Sequence, residues 1–221
     1  MPIPQKENYS VPKTARERIY QTLKNWIQTN TLKPGERISD TDLASYFSVS
    51  RTPVREAMQL LADQKLIEIL PGKESRVTPI DFSSIREDYL ILARLNALAI
   101  RFAFPHITAQ HIKELEELNE QIKTSSFATF AELDNEFHTQ ILDIAGNPFL
   151  IDFCDTLCAH VIRFKLFYLE SSYDIPECYE GHKKILDALK ARNLDAAEEL
   201  MYDNFAYMTS YLDELIAGKQ P

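Results

Sequence analysis

Two apolar stripes follow each other closely in the first third of the chain. The first comprises Leu43, Ala44 and Phe47, and the second comprises Val54, Ala57, Met58 and Leu61. Residues at this spacing share one face of a helix, so each stripe predicts a short amphipathic helix. Ser39 stands where a cap would begin the first helix, and Ser50 or Thr52, followed by Pro53, would begin the second. Two short helices joined by a tight turn form the helix-turn-helix pattern.

The flanking residues extend this pattern into a small domain. A preceding helix, about 14–30, has an apolar face that consists of Ile19, Leu23, Trp26 and Ile27. We interpret Trp26 as a core residue rather than a base-stacking one. After the second short helix, residues 66–70 and 76–78 are predicted as strands joined by a turn at 71–75. The hairpin adds a wing, so a winged helix-turn-helix domain is expected.

From residue 81 onward helical periodicity dominates, and no convincing strand remains. Six helices are predicted, at about 81–104, 108–123, 127–145, 148–171, 175–192 and 193–217. They predict an antiparallel bundle with room inside for a ligand. The expected fold class is therefore mainly α, a winged helix-turn-helix followed by an all-α bundle. The predicted divisions are a flexible arm at 1–13, the winged domain at 14–80 and the helical domain at 81–221.

Charge is divided unequally between these two domains. The net charge is −9 over 221 residues, but residues 1–80 contain 12 Lys+Arg and 9 Asp+Glu, and so carry +3. The remainder, 81–221, carries −12. A basic first domain suits phosphate contacts, and an acidic second domain would repel nucleic acid. No membrane span or signal peptide is predicted, so we expect a cytoplasmic protein.

The second short helix carries a polar face beside its apolar stripe. Arg51, Thr52, Arg55 and Gln59 can hydrogen-bond base edges and phosphates when the amino-terminal end of a helix enters the major groove. A solvated face of an ordinary amphipathic helix is the alternative.

Polar residues on apolar faces also stand out in the helical domain. Asp134 and His138 are spaced i, i+4 and share one helix face, and His182 lies close to the buried stripe of a later helix. One carboxylate and two imidazoles are suitable ligands for Zn²⁺, Ni²⁺ or Mn²⁺. A hydrogen-bonded core network is the alternative. The three cysteines, Cys154, Cys158 and Cys178, are expected to be buried and reduced.

The segment Ser50-Arg51-Thr52-Pro53-Val54-Arg55-Glu56-Ala57, together with Leu32–Ser39 and Leu66-Ile67-Glu68, resembles the winged helix of the GntR family of bacterial transcription regulators. The resemblance implies that Ser50, Arg51, Thr52 and Arg55 contact operator DNA and that the wing glycine, Gly72, approaches the minor groove. Arg37 and Ser39 are included in the same predicted DNA-binding surface. The chain departs from the family at Lys65, which replaces a frequent helix-ending glycine.

The helical domain resembles that of the FadR-type subfamily (the FCD domain), in its shorter VanR-like branch, through Asp134-x-x-Phe137-His138 and the residues that follow His182. The resemblance implies one divalent metal per subunit, bound by an Asp and three His, which helps to coordinate a small organic acid. Asp134, His138 and His182 match the first three ligands, and Asn204 stands at the fourth position. Without a metal, these residues would bind the effector directly.

Two arginines are candidates for binding the carboxylate of the effector. Arg94 occupies a position where the subfamily usually has an arginine that faces the pocket, and Arg163 lies on the fourth helix of the bundle. For each of them a surface ion pair is the alternative. A guanidinium can hold a carboxylate through two parallel hydrogen bonds.

The resulting expectation is a homodimeric, ligand-responsive repressor that binds an inverted-repeat operator in double-stranded DNA. A metal-dependent hydrolytic enzyme is one alternative, although the sequence contains no Glu-x-x-His pair, no Gly-x-Ser-x-Gly elbow and no phosphate-binding loop. A regulator whose pocket has lost its effector is another.

Overall fold

The computed structural model describes residues 14–70, 75–168 and 175–218. It divides into two compact units, with the division between Pro79 and Ile80. The predicted arm at 1–13 and the wing turn at 71–74, which includes Gly72, lie outside the described residues.

Three helices and a small sheet form the described part of the first unit. The helices are α1 (Ala15–Gln28), α2 (Asp40–Phe47) and α3 (Arg51–Asp63), and the strands are β1 (Arg37–Ile38), β2 (Ile67–Glu68) and β3 (Ser75–Val77). The strand order is β1-β3-β2, and both pairings are antiparallel. β2 and β3 form the predicted wing, whereas β1 was not predicted, because two residues carry too little periodicity to indicate a strand.

Burial of the apolar stripes holds α1 against α3. Leu23 and Ile27 from α1 and Val54 and Leu61 from α3 are fully buried. Ser48 ends α2 in the left-handed conformation, with φ of 54°, which produces the tight turn into α3. Lys65 follows α3 with φ of 57°, the conformation that favours the glycine more frequent at this position.

Six helices form the described part of the second unit, as the sequence predicted. They are α4 (Phe82–Ala103), α5 (Ala109–Ile122), α6 (Phe127–Ala145), α7 (Pro148–Tyr168), α8 (Ile175–Lys190) and α9 (Leu194–Ile216). Local signals define their ends: Thr108 and Asn193 cap α5 and α9, and Gly146 ends α6 with φ of 65°. The expected fold class is confirmed.

The core of this unit is built around α4, which packs against α6, α7 and most extensively α9. Leu92, Ile100, Phe137, Phe164 and Ile185 are fully buried there. Among the residues that the structure describes, no helix is both long enough and apolar enough to cross a membrane.

Candidate functional site

The amino-terminal end of α3 presents a polar surface. Val54, Ala57, Met58 and Leu61 turn inward, which leaves the predicted reading residues Arg51, Thr52, Arg55 and Gln59 exposed on the other side of the helix. Ser50 precedes the helix but makes no side-chain capping bond, so its hydroxyl is not used to cap α3. These side chains are therefore accessible to a partner, and those in the first turn lie at a helix end that carries a partial positive charge.

Asp40, the first residue of α2, holds both arginines. Arg51 Nη2 lies 2.9 Å from each carboxylate oxygen of Asp40, and Arg55 Nε lies 2.6 Å from Oδ2. Hydrogen bonds from Arg51 and Arg55 lower the pKa of Asp40 to about 2. One carboxylate thus fixes the orientation of two guanidinium groups, each of which has further N–H donors for other acceptors.

The other predicted DNA-contacting residues differ in how exposed they are. Arg37 is exposed on β1. Ser39 is half-buried, and its hydroxyl accepts a hydrogen bond from Asp42 N at 3.2 Å, so it caps α2. On β3, Arg76 donates to Glu68 across the wing.

A second polar cluster lies inside the helical unit, around Asp134 on α6. Its Oδ2 accepts a hydrogen bond from Lys165 Nζ on α7 at 2.6 Å. Its Oδ1 faces His182 Nε2 on α8 at 3.5 Å and His138 Nε2 on α6 at 3.9 Å. Cys178 Sγ, one turn before His182, lies 3.1 Å from the same oxygen. All five residues are buried.

Electrostatics fix the charge states of this cluster. Burial opposes ionisation of Asp134, but Lys165 and the two histidines outweigh it, so the pKa of Asp134 is lowered. Burial also opposes the charge on Lys165, but the attraction of the Asp134 carboxylate outweighs the effect of burial, so the pKa of Lys165 is raised. Burial lowers the pKa of His138 to about 4 and that of His182 to about 3. The cluster therefore contains a buried ion pair and two neutral imidazoles at pH 7.

Asn119, on α5, determines which nitrogen of His182 carries the proton. Asn119 Nδ2 donates to the carbonyl of Tyr179 at 3.0 Å, which leaves its Oδ1 facing His182 Nδ1 at 3.2 Å. An amide oxygen can only accept, so Nδ1 is protonated and Nε2 directs a lone pair toward Asp134. The ring of Phe137 stacks on His182 with centroids 3.9 Å apart and holds this orientation.

The donor set fits the divalent metal that the resemblance implies. Asp134, His138 and His182 converge, the imidazoles are neutral, and His182 donates its other ring N–H to an oxygen, as metal-bound histidines usually do. A neutral lone pair directed at a carboxylate oxygen is also unfavourable unless a proton or a cation lies between them.

A cavity of about 30 Å³ lies beside the cluster. Asp134, His138, Lys165 and Asn204 line it, together with Tyr89, whose buried hydroxyl has no hydrogen-bond partner among the described residues. This volume is about that of one water molecule, so no organic acid fits in the cavity as it stands.

The structure brings Asp134, His138, His182 and Asn204 together but places the two predicted arginines elsewhere. Arg94 is exposed on α4, and its guanidinium lies 4.0 Å above the ring of Tyr202. Arg163 is buried on α7, where burial lowers its pKa to about 10. Neither of them lines the described cavity, and their roles stay predictions.

Sequence reasoning missed three polar residues in these sites, Asp40, Lys165 and Asn119. It also treated Cys178 as an ordinary core thiol, and this residue is indeed buried and not part of a disulfide. Its i, i+4 spacing from His182 repeats that of Asp134 and His138, and this signal could have been used. The contacts of Lys165 and Asn119 with their partners span 31 and 63 residues, and short-range patterns do not reveal them.

Comparison with known proteins supports both units. Residues 15–77 match the family model described as "Bacterial regulatory proteins, gntR family", and residues 89–206 match the FCD domain. The transcriptional repressor RspR of Escherichia coli K12 is 31% identical over 189 residues, covering 84% of this chain and 83% of the relative. The uncharacterized regulator YdhC of Bacillus subtilis is 26% identical over 209 residues, 92% of this chain and 93% of the relative.

Solved structures show the same fold. E. coli McbR/YncC superposes with a TM-score of 0.75 at 23% identity, covering 92% of this chain and 99% of that one. The fold and the matches define a two-domain transcription regulator with a DNA-binding winged helix. The chain belongs to the GntR family of bacterial transcription regulators, in the group with an FCD domain. The predicted family is confirmed, and the enzyme alternative is set aside.

Proposed function

We propose that this chain is a repressor that binds an inverted-repeat operator as a homodimer and responds to a small organic acid in its helical domain. A two-fold dimer imposes two-fold symmetry on its operator, because each subunit reads one half-site. We also propose the cytoplasm as its location, as expected for a protein that acts on bacterial DNA.

The exposed end of α3 is the observation that carries the DNA-binding part. Arg51 and Arg55 are held at a fixed separation by Asp40, and Thr52 lies between them on an exposed face. Preorganised guanidinium groups lose little side-chain freedom on binding, which favours bidentate contacts with guanine. Ser50, Arg37 and Ser39 are proposed as supporting contacts with the operator, and Gly72 is proposed to approach the minor groove.

The test is a binding assay on an operator found by footprinting. Replacing Arg55 with alanine should weaken discrimination between operator and random DNA by about 1–3 kcal/mol. Arg18→Ala, which removes one exposed positive charge from α1, is the matched control and should weaken binding to both DNAs alike. Unchanged discrimination in Arg55→Ala would refute the assignment of α3.

The buried cluster is proposed as the effector site. Asp134, His138 and His182 would hold one divalent metal, Zn²⁺, Ni²⁺ or Mn²⁺, and this ion would supply positive charge for a carboxylate. Lys165 supplies a second positive charge at the cavity wall, and Tyr89 supplies a hydroxyl without a partner among the described residues. Asn204 lines the same cavity and can hydrogen-bond the acid. Arg94 and Arg163 remain candidates only if the surrounding helices rearrange.

Effector binding has to enlarge the cavity, which has room for about one water molecule as it stands. Because α4, α6, α7 and α9 all line it, entry of an acid must shift at least one of these helices. Such a shift in a dimer would change the separation of the two reading helices and release the operator. Thermal-shift measurements against a set of small carboxylates, followed by operator release in a gel assay, test this step.

The homodimer itself is supported by exposed apolar side chains on two helices that pack together. Ile91, Leu98 and Phe102 are exposed on α4, and Phe149 and Phe153 are exposed on α7. Large exposed apolar groups of this kind are typical of protein–protein interfaces. Phe153→Glu should shift the mass measured by light scattering from dimer toward monomer, whereas Glu132→Gln, at an exposed position on α6, should not. A monomeric wild-type chain would contradict the proposal.

A further inference from the structure

Cys178 has a geometry that core packing does not require. Its Sγ lies 3.1 Å from Asp134 Oδ1 and 3.8 Å from His182 Nε2, and its side chain is buried at the centre of the polar cluster. We propose that Cys178 is a metal ligand, so that the proposed metal site is an Asp-His-His-Cys zinc site with the thiolate in place of the missing histidine at position 204. The inference depends on the proposed metal site and not on the reading of DNA.

The four donors come as two matched pairs. Asp134 and His138 are one helical turn apart on α6, and Cys178 and His182 are one turn apart on α8, so each pair presents both donors from one helix face. Three of the donors, Asp134, Cys178 and His182, lie within 4.8 Å of one another, and His138 Nε2 lies 3.9 Å from Asp134 Oδ1. In a tetrahedral zinc site with nitrogen and sulfur ligands, donor atoms lie roughly 3.3–3.8 Å apart.

The proton count within the cluster supports the same conclusion. The lone pair of His182 Nε2 and the Oδ1 oxygen of Asp134 both face the Cys178 thiol, which has only one proton to donate. One of the two acceptors is therefore left without a donor from Cys178. A cation bound between them would satisfy both acceptors at once, and Asn119 already fixes the tautomer that binding requires.

Binding would exchange one bond for another without electron transfer. The S–H bond of Cys178 breaks, the metal–sulfur bond forms, and the proton leaves to solvent. The thiolate and the Asp134 carboxylate would together balance the two charges of the ion, and the Lys165 ammonium would leave the site with one net positive charge. That residual charge suits an anionic effector. A thiolate ligand also favours Zn²⁺ and Co²⁺ over Mn²⁺, which prefers oxygen.

Cobalt titration of the full chain, purified without metal, tests the proposal directly. Co²⁺ bound to a thiolate gives a sulfur-to-metal charge-transfer band in the near ultraviolet, and a tetrahedral site gives intense visible bands. We expect both kinds of band in the wild-type chain and loss of the charge-transfer band in Cys178→Ser. Cys154→Ala and Cys158→Ala are the matched controls and should keep it. Zinc affinity should fall at least about 100-fold in Cys178→Ser, since loss of an outer-shell partner alone costs 10–100-fold.

A Co²⁺ complex without the charge-transfer band, a band that persists in Cys178→Ser, or no metal binding at all would each overturn the proposal. X-ray absorption at the zinc edge of the wild-type chain needs no variant and keeps the test valid if Cys178→Ser does not fold. One sulfur neighbour supports the proposal, and only nitrogen and oxygen neighbours overturn it. Operator binding by the same wild-type sample tells this failure apart from failure of the proposed regulatory function.

Discussion

Both units of this protein use a carboxylate to hold cationic side chains, but in opposite surroundings. Asp40 holds Arg51 and Arg55 at the surface, where the arginine side chains are 52% and 64% exposed. Asp134 holds Lys165 in the interior, where the two side chains are 11% and 8% exposed. Water competes for the contacts between Asp40 and its two arginines. Arg51 and Arg55 can therefore exchange this carboxylate for a phosphate or a base at little cost. Lys165 and Asp134 cannot separate without leaving a buried charge that has no partner. The same chemistry therefore gives an exchangeable contact in one unit and a fixed one in the other.

Breaking the buried pair should have the largest effect. Lys165→Met leaves the Asp134 carboxylate buried without its ammonium, and we expect the free energy of unfolding to fall by about 3–5 kcal/mol. Urea denaturation in the presence of a chelator measures this without a contribution from metal. Lys113→Met, which removes an exposed lysine paired with Glu117, is the control and should change stability by less than about 1 kcal/mol. Equal losses of stability in Lys165→Met and Lys113→Met would contradict the difference drawn between the buried and the exposed ion pairs.

Breaking the exposed cluster should leave the fold almost unchanged and alter the reading of DNA. Asp40→Asn should cost less than about 1 kcal/mol of stability. Binding to random DNA should become tighter, because a negative charge leaves the reading surface, and discrimination should fall, because Arg51 and Arg55 lose their fixed orientation.

The matched control is Asp63→Asn, which removes the same charge from the exposed far end of α3. It should affect operator and random DNA equally. If Asp40→Asn also leaves their ratio unchanged, the carboxylate does not orient the arginines for reading.

The smallest expected effect is the pH dependence of the exposed cluster. The pKa of Asp40 is lowered from 3.8 to about 2 by the two arginines. Its contribution to stability is therefore present above about pH 4 and is lost as the pH falls toward 2, because the unfolded chain takes up the proton first. A carboxyl titration followed by NMR should give a midpoint near 2 for wild type and one nearer 3.8 after Arg51 and Arg55 are both replaced by alanine. A wild-type midpoint near 3.8 would show that water screens these pairs completely.

Sequence patterns predicted most of the fold, because its helices begin and end at local signals. Thr108, Gly146 and Asn193 mark helix ends through capping chemistry that involves only their neighbours. β1 escaped prediction because its two residues become a strand only by pairing with β3, about 40 residues later.

The two sites were predictable in part. Spacing identified Asp134, His138 and His182, and the exposed face of α3, since each depends on helical periodicity. Asp40 and Lys165 depend on contacts between different helices, and periodicity does not report which helix faces which. Periodicity likewise does not place Arg94, whose role in the pocket rests on the resemblance and stays a prediction; its guanidinium lies over the ring of Tyr202.

If the effector binds as proposed, the small cavity beside Asp134 also determines the concentration range over which it acts. Only molecules whose cavity is open can take up an acid, so the apparent dissociation constant equals the intrinsic one divided by the open fraction. If about one molecule in a hundred is open, the concentration needed for half-saturation rises about a hundredfold. Trimming Met208, whose side chain lines the cavity, would raise the open fraction and lower that threshold without changing any polar contact. The packing of this wall would thus determine the sensitivity to the effector, independently of the groups proposed to recognise the acid.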